Sequence, residues 1–159
     1  MAKCTQEVPN LQLKITAFMP AQVVVNICKL IQEDKTNQMK YDMANDFAQY
    51  FQDSTLSKSD WTSKMDETDL ISLYSGLKRI QILSDFSISK GLKLLVDAEY
   101  TYMNDGISAI ALGMMCHYNR KNATVGNTYQ CYLKVSILEE KLPKISYNPL
   151  YLCVLEIQL

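Results

Sequence analysis

The feature that most constrains this chain is a short apolar run that ends in two carboxylates, Leu-Lys-Leu-Leu-Val-Asp-Ala-Glu at positions 92–99. With a helix-like segment before it and another after it, such a run reads as a buried parallel strand. Acidic residues at the C-terminal end of a strand of this kind sit where α/β folds place their chemistry. A solvated strand end is the plainer alternative for Asp97 and Glu99.

The flanking segments support this frame. Leu70, Leu73, Tyr74, Leu77, Ile80 and Leu83 recur at three- and four-residue steps and predict a helix over about 67–89, with Gly91 placed to end it. In the strand that follows, Leu94 and Val96 share one face, and Leu95 and Asp97 share the other. After the Asn104-Asp105-Gly106 turn signal, Ile107, Ile110, Ala111, Met114 and Tyr118 mark another amphipathic helix. Met114 and Met115 read as core filling, and His117 as a cation at the helix C-terminus. Residues 123–130 form a further strand ending in polar groups.

Towards the N-terminus, Leu11, Leu13, Ile15 and Ala17 alternate with Gln12, Lys14 and Thr16, which predicts a strand over 9–17. The parity fits a core-in, water-out strand. It fits equally a barrel strand with helices outside and a polar site within. Pro20 suits the first turn of a helix reaching about Gln32. The polar stretch 33–64 predicts one helical segment near 39–51 and reads as a variable insertion, with Trp61 as a packing anchor. Strands alternating with helices in this order argue for a parallel α/β sheet.

Composition narrows the function classes. Sixteen basic and 17 acidic residues give a formal charge of −1, so no broad basic field for nucleic acid is implied. Five cysteines without close spacing, and a single histidine, argue against a Cys/His metal site and for free thiols in a reducing compartment. Asn122-Ala123-Thr124 matches a glycosylation acceptor, a tripeptide common by chance. No signal core, Arg-rich presequence or apolar run of membrane-spanning length is present, and the usual nucleotide-binding and hydrolase fingerprints are missing.

Three segments, in order, carry a resemblance. Leu-Leu-Val-Asp-Ala-Glu-Tyr-Thr (94–101) and Asn-Thr-Tyr-Gln-Cys-Tyr-Leu-Lys (127–134) closely resemble segments of eukaryotic proline dehydrogenases, and Leu-Gln-Leu-Lys-Ile-Thr-Ala (11–17) resembles the family's preceding lysine-bearing strand. The Ala-Glu-Tyr-Thr wording leans towards the hydroxyproline branch. The resemblance implies part of a (β/α)8 TIM-like barrel over residues 9–134, with about three of eight strands visible. It implies FAD as cofactor and L-proline or hydroxyproline as substrate, oxidised at its CH–NH bond to a pyrroline-5-carboxylate-type imine on the way to glutamate. It also implies a quinone acceptor, the inner mitochondrial membrane surface as partner, and a mitochondrial location.

Residue by residue, the resemblance puts Lys14 and Asp97 in the substrate-side constellation. It puts Asn127 at a polar FAD contact, with Gln130 as a nearby second candidate. A carboxylate beside a lysine can hold the amine region with charges paired. Lys14 as an exposed strand lysine is the alternative, and Glu99 reads as a loop support outside the catalytic set.

The resemblance stops at Lys134. The family's later strands carry an Arg-Arg pair that clamps the substrate carboxylate, and this sequence has no arginine after Lys134. A codon AAG followed by an intron opening GTAAGT would read Lys-Val-Ser, as at 134–136, so 135–159 is expected to be a non-family tail arising from intron read-through. The chain alone is then expected to be incomplete at both ends and inactive. A catalytically silent interaction or decoy product of the same gene is the second function class.

Overall fold

The computed structural model describes residues 9–36 and 38–130. Three strands, β1 (Asn10–Leu13), β2 (Lys93–Val96) and β3 (Val125–Asn127), form a parallel sheet in the order β1-β2-β3. Four helices join them: α1 (Ala21–Glu33), α2 (Gln38–Asp53) and α3 (Glu67–Ser89) between β1 and β2, and α4 (Asn104–Tyr118) between β2 and β3. The tail expected at 135–159, along with Cys4, Cys131 and Cys153, lies outside the described residues. No helix among the described residues is long and apolar enough to cross a membrane.

The sheet face towards the helices is built by Leu13, Leu94, Val96 and Val125, all at most 1% exposed. Period-two alternation turns Leu95 and Asp97 to the other face, as the sequence predicts. The expected first strand is shorter than its alternation suggests. The sheet ladder ends at Leu13, and Ile15–Ala17 forms a 3-10 turn closed by the Ala17 amide donating to the Lys14 carbonyl at 3.1 Å. Ile15 is fully buried, so the apolar alternation survives although the strand does not. The third strand is likewise shorter than the expected 123–130.

α3 ends where Gly91 was expected to stop it. Gly91 adopts φ +75°, and the Leu92 amide donates back to the Ser87 carbonyl at 3.1 Å, satisfying a terminal carbonyl. At the other end Glu67 and Asp69 sit in the first turn, where carboxylates favour the helix dipole, and Asp69 Oδ2 accepts from Asn26 Nδ2 of α1.

α4 is buried almost all round from Gly106 to Met115, because it has helices on its outer side as well as the sheet beneath it. α1 meets it at Gly106, whose amide donates to Cys28 Sγ at 3.0 Å. α2 meets it at Gly113, where the missing side chain lets the backbone of Ala44 and the root of Phe47 approach. The polar insertion thus contributes an outer packing layer. Trp61 anchors it as expected: it is 1% exposed, lies edge-on to Phe47 with ring centroids 5.6 Å apart, and donates its Nε1 to Asp46 Oδ2 at 2.7 Å.

His117 differs from its sequence reading. It packs edge-on against Tyr118, its buried Nδ1 has no hydrogen-bond partner, and burial, with Arg120 adding to it, pulls its pKa below the ordinary value. At neutral pH it is an uncharged packing group rather than a helix-terminal cation.

Candidate functional site

The three strands end at one edge of the sheet, and their ends gather the polar residues. Leu13 pairs in register with Val96, and Val96 with Asn127. The Asp97 amide donates to the Leu13 carbonyl at 2.9 Å, and the Thr128 amide donates to the Val96 carbonyl at 3.0 Å. One residue further along each strand therefore brings Lys14, Asp97 and Thr128 abreast in a single row.

Asp97 is partly buried. Burial raises its carboxyl above the ordinary value, the Lys14 charge opposes that, and the Glu99 charge adds to it. A carboxylate held this way is a stronger proton and hydrogen-bond acceptor than an exposed one, with a cation across the ladder to offset its charge.

Around this row the loops are tied together by side chains. Glu99 accepts the Thr16 amide at Oε1 (3.1 Å) and the Thr16 hydroxyl at Oε2 (2.5 Å). Gln130 donates its Nε2 to the Glu99 carbonyl at 2.7 Å, while its Oε1 accepts Asn104 Nδ2 at 3.0 Å. The Thr128 hydroxyl donates to the Val96 carbonyl at 3.0 Å and accepts the Ala98 amide at 2.5 Å.

Of the four residues expected at the site, the structure sets Lys14 and Asp97 at adjacent register positions, Lys14 exposed and Asp97 half-buried, and links Gln130 to the same loops through Glu99. It places Asn127 elsewhere. That side chain is 1% exposed and shares the helix-facing side of the sheet with Val96 and Val125. It donates Nδ2 to Ser108 Oγ of α4 at 3.2 Å, leaving Oδ1 without a partner. With Val125 in the core, period two already put Asn127 on the helix side. Thr16, Thr128 and Asn104 were not expected at the site from the sequence. Thr16 was legible as the next residue after Lys14 on the polar side of the alternation, whereas Thr128 and Asn104 needed the register and the fold.

An open parallel α/β sheet with Lys14 and Asp97 at adjacent register positions on its C-terminal strand ends has the architecture in which α/β folds place their ligand sites. The particular lineage comes from sequence. The chain is 32% identical over 149 residues to a hydroxyproline dehydrogenase of Xenopus laevis, covering 91% of this chain and 30% of that protein. It is 41% identical over 58 residues to a mitochondrial proline dehydrogenase 1 of Caenorhabditis elegans (36% of this chain, 9% of that protein). It is 36% identical over 72 residues to the human mitochondrial proline dehydrogenase 1 (45% and 12%). This chain is therefore a relative of the proline and hydroxyproline dehydrogenases, which are oxidoreductases, and it spans less than a third of their length. No family model matches the chain, and no solved structure matches it.

Proposed function

We propose that this chain forms part of an FAD-dependent dehydrogenase that oxidises L-proline or hydroxyproline to a cyclic imine. The observation that carries the reading is the placement of Lys14 and Asp97 abreast at the C-terminal ends of adjacent parallel strands, in a chain similar to a hydroxyproline dehydrogenase over 91% of its length.

The same reading makes the sheet an arc of a (β/α)8 barrel. Sequential strand order, uniform parallel direction and helices between the strands support it. So do the unpaired outer edges of β1 and β3 among the described residues, and the exposed Ile71, Ile82 and Phe86 on α3, a face suited to further helices.

The donors at this edge fit a flavin. Lys14 offers an ammonium and Gln130 an amide, groups that meet the carbonyl and nitrogen edge of such a ring. Lys14 and Gln130 would hold it there, while Asn127 would act through α4. When bound, the flavin supplies the hydride acceptor.

The chain's own residues prepare the substrate. Asp97 accepts the proton from the secondary ammonium, which frees the nitrogen lone pair to assist loss of hydride from the adjacent carbon. Lys14 keeps the negative charge paired when water is excluded. Electron transfer onward to quinone, an inner-membrane surface and a mitochondrial site of action complete the proposal, supported by relatives whose names carry "mitochondrial".

The test is to purify the complete gene product and mix it anaerobically with L-proline and, separately, with hydroxyproline. Co-purifying flavin that is bleached by one of them and reoxidised by a short-chain quinone supports the reading. A product that binds no flavin removes it.

A further inference from the structure

We infer that Thr16 is a positioning residue, whose two hydrogen bonds to Glu99 fix the Lys14 backbone opposite Asp97. This rests on the function proposed above and assigns a role to a residue that does not itself reach the reacting atoms.

Lys14 occupies a junction. Behind it, the sheet ladder ends with the Asp97 amide on the Leu13 carbonyl. Ahead of it, the chain leaves the sheet, with Lys14 extended at φ −96° and ψ 120° and Ile15–Ala17 folded into a 3-10 turn. Such a turn is short and poorly bonded internally, so it fixes the preceding residue only weakly. Two anchors compensate. Ile15 is fully buried in the core beneath the turn, and Thr16 reaches across to the β2–α4 loop.

The Thr16 anchor is built for rigidity. Both oxygens of one carboxylate are used on one residue, taking its amide and its hydroxyl, so Glu99 resists rotation as well as displacement. The Glu99 backbone is itself held, because its carbonyl accepts Gln130 Nε2 and Gln130 is bonded in turn to Asn104 at the start of α4. The turn after β1 is thereby tied to β3 and α4 through Glu99. Lys14 is pinned by backbone on one side and by this clamp two residues on.

The hydroxyl bond can be removed without changing the residue's shape. In the complete gene product, Thr16→Val keeps the amide bond and deletes the hydroxyl bond, and Thr16→Ser restores it. The expected result is a rate of flavin reduction by L-proline lowered about tenfold in Thr16→Val and within about twofold of wild type in Thr16→Ser, the scale set by small misplacements of a working group. Amide hydrogen exchange over residues 14–18 is expected to be faster in Thr16→Val alone. Wild-type reduction rates in Thr16→Val, or a Ser variant as slow as the Val variant, would overturn the inference.

If the wild-type product does not reduce flavin with proline or hydroxyproline, the proposed function fails by itself. The exchange measurement then decides the clamp: unchanged exchange over 14–18 in Thr16→Val overturns it, and faster exchange restored by Ser upholds it as a backbone anchor.

Discussion

Replacing Gly113 with alanine tests how closely the polar insertion is built into the fold. A Cβ at this position would lie 2.6 Å from Phe47 Cβ, 2.9 Å from the Ala44 carbonyl oxygen and 3.2 Å from the Ala48 amide nitrogen. Two of these three atoms are backbone, and the third is the root of a fully buried ring wedged edge-on against Trp61. None can swing aside, so α2 must move off α4 as a body. Overpacking of this kind costs about 1–3 kcal/mol, while alanine in a helix interior returns about 0.5–1 kcal/mol relative to glycine. The net loss is about 1–2 kcal/mol, a fall of roughly 3–6 °C in Tm at about 3 °C per kcal/mol. Thermal unfolding followed by circular dichroism measures it. Gly91→Ala is the control, since nothing lies within 4 Å of its Cβ and its cost comes only from φ +75°. If Gly113→Ala leaves Tm unchanged or raises it, as helix propensity alone would, the reasoning about the α2–α4 contact is wrong.

Two further outcomes follow from the site and the core. Burial and Glu99 raise the Asp97 carboxyl, so the folded state holds that proton more tightly than the unfolded chain does. The stability this group contributes is present below the ordinary carboxylate range and is lost as pH rises through the raised value. Asp97→Asn is therefore expected to match or exceed the wild-type Tm at pH 7, with a flatter Tm profile between pH 3 and 7, while losing proline-driven flavin reduction. Burial pushes the Cys28 thiol up to about 11, against the opposing effect of the Gly106 amide. Cys28 should therefore resist a maleimide in the native protein at pH 8 and react on unfolding, as read by mass spectrometry.

Much of the architecture was written as periodicity. α3 carries a long apolar pattern and β2 a short apolar run, and the structure places both close to the expected bounds. β1 was overextended because a buried Ile15 keeps the alternation going through a turn that has no period of its own. The role of α2 was illegible for a different reason. Its sequence is polar, and only the all-round burial of α4 shows that another helix must lie over it. The Gly106 and Gly113 spacing on α4 was the available sign of close approach.

At the site, the Lys14–Asp97 row could be read from two motifs, but the clamp around it could not. Thr16, the Glu99–Asn104 stretch and Gln130 come from three separate segments, and only the fold makes them neighbours. His117 shows the limit of local reading. Its place at a helix end suggested a cation, while burial, with Arg120 adding to it, favours its neutral form.

The most direct measurement is anaerobic stopped-flow mixing of L-proline with the flavin-loaded complete gene product, as wild type and as Asp97→Asn. The account predicts bleaching of the wild-type flavin and at least a hundredfold slower bleaching in Asp97→Asn at equal flavin content, a loss of about the size general acid–base groups contribute. Bleaching at the same rate in both would contradict the role given to the Lys14–Asp97 row.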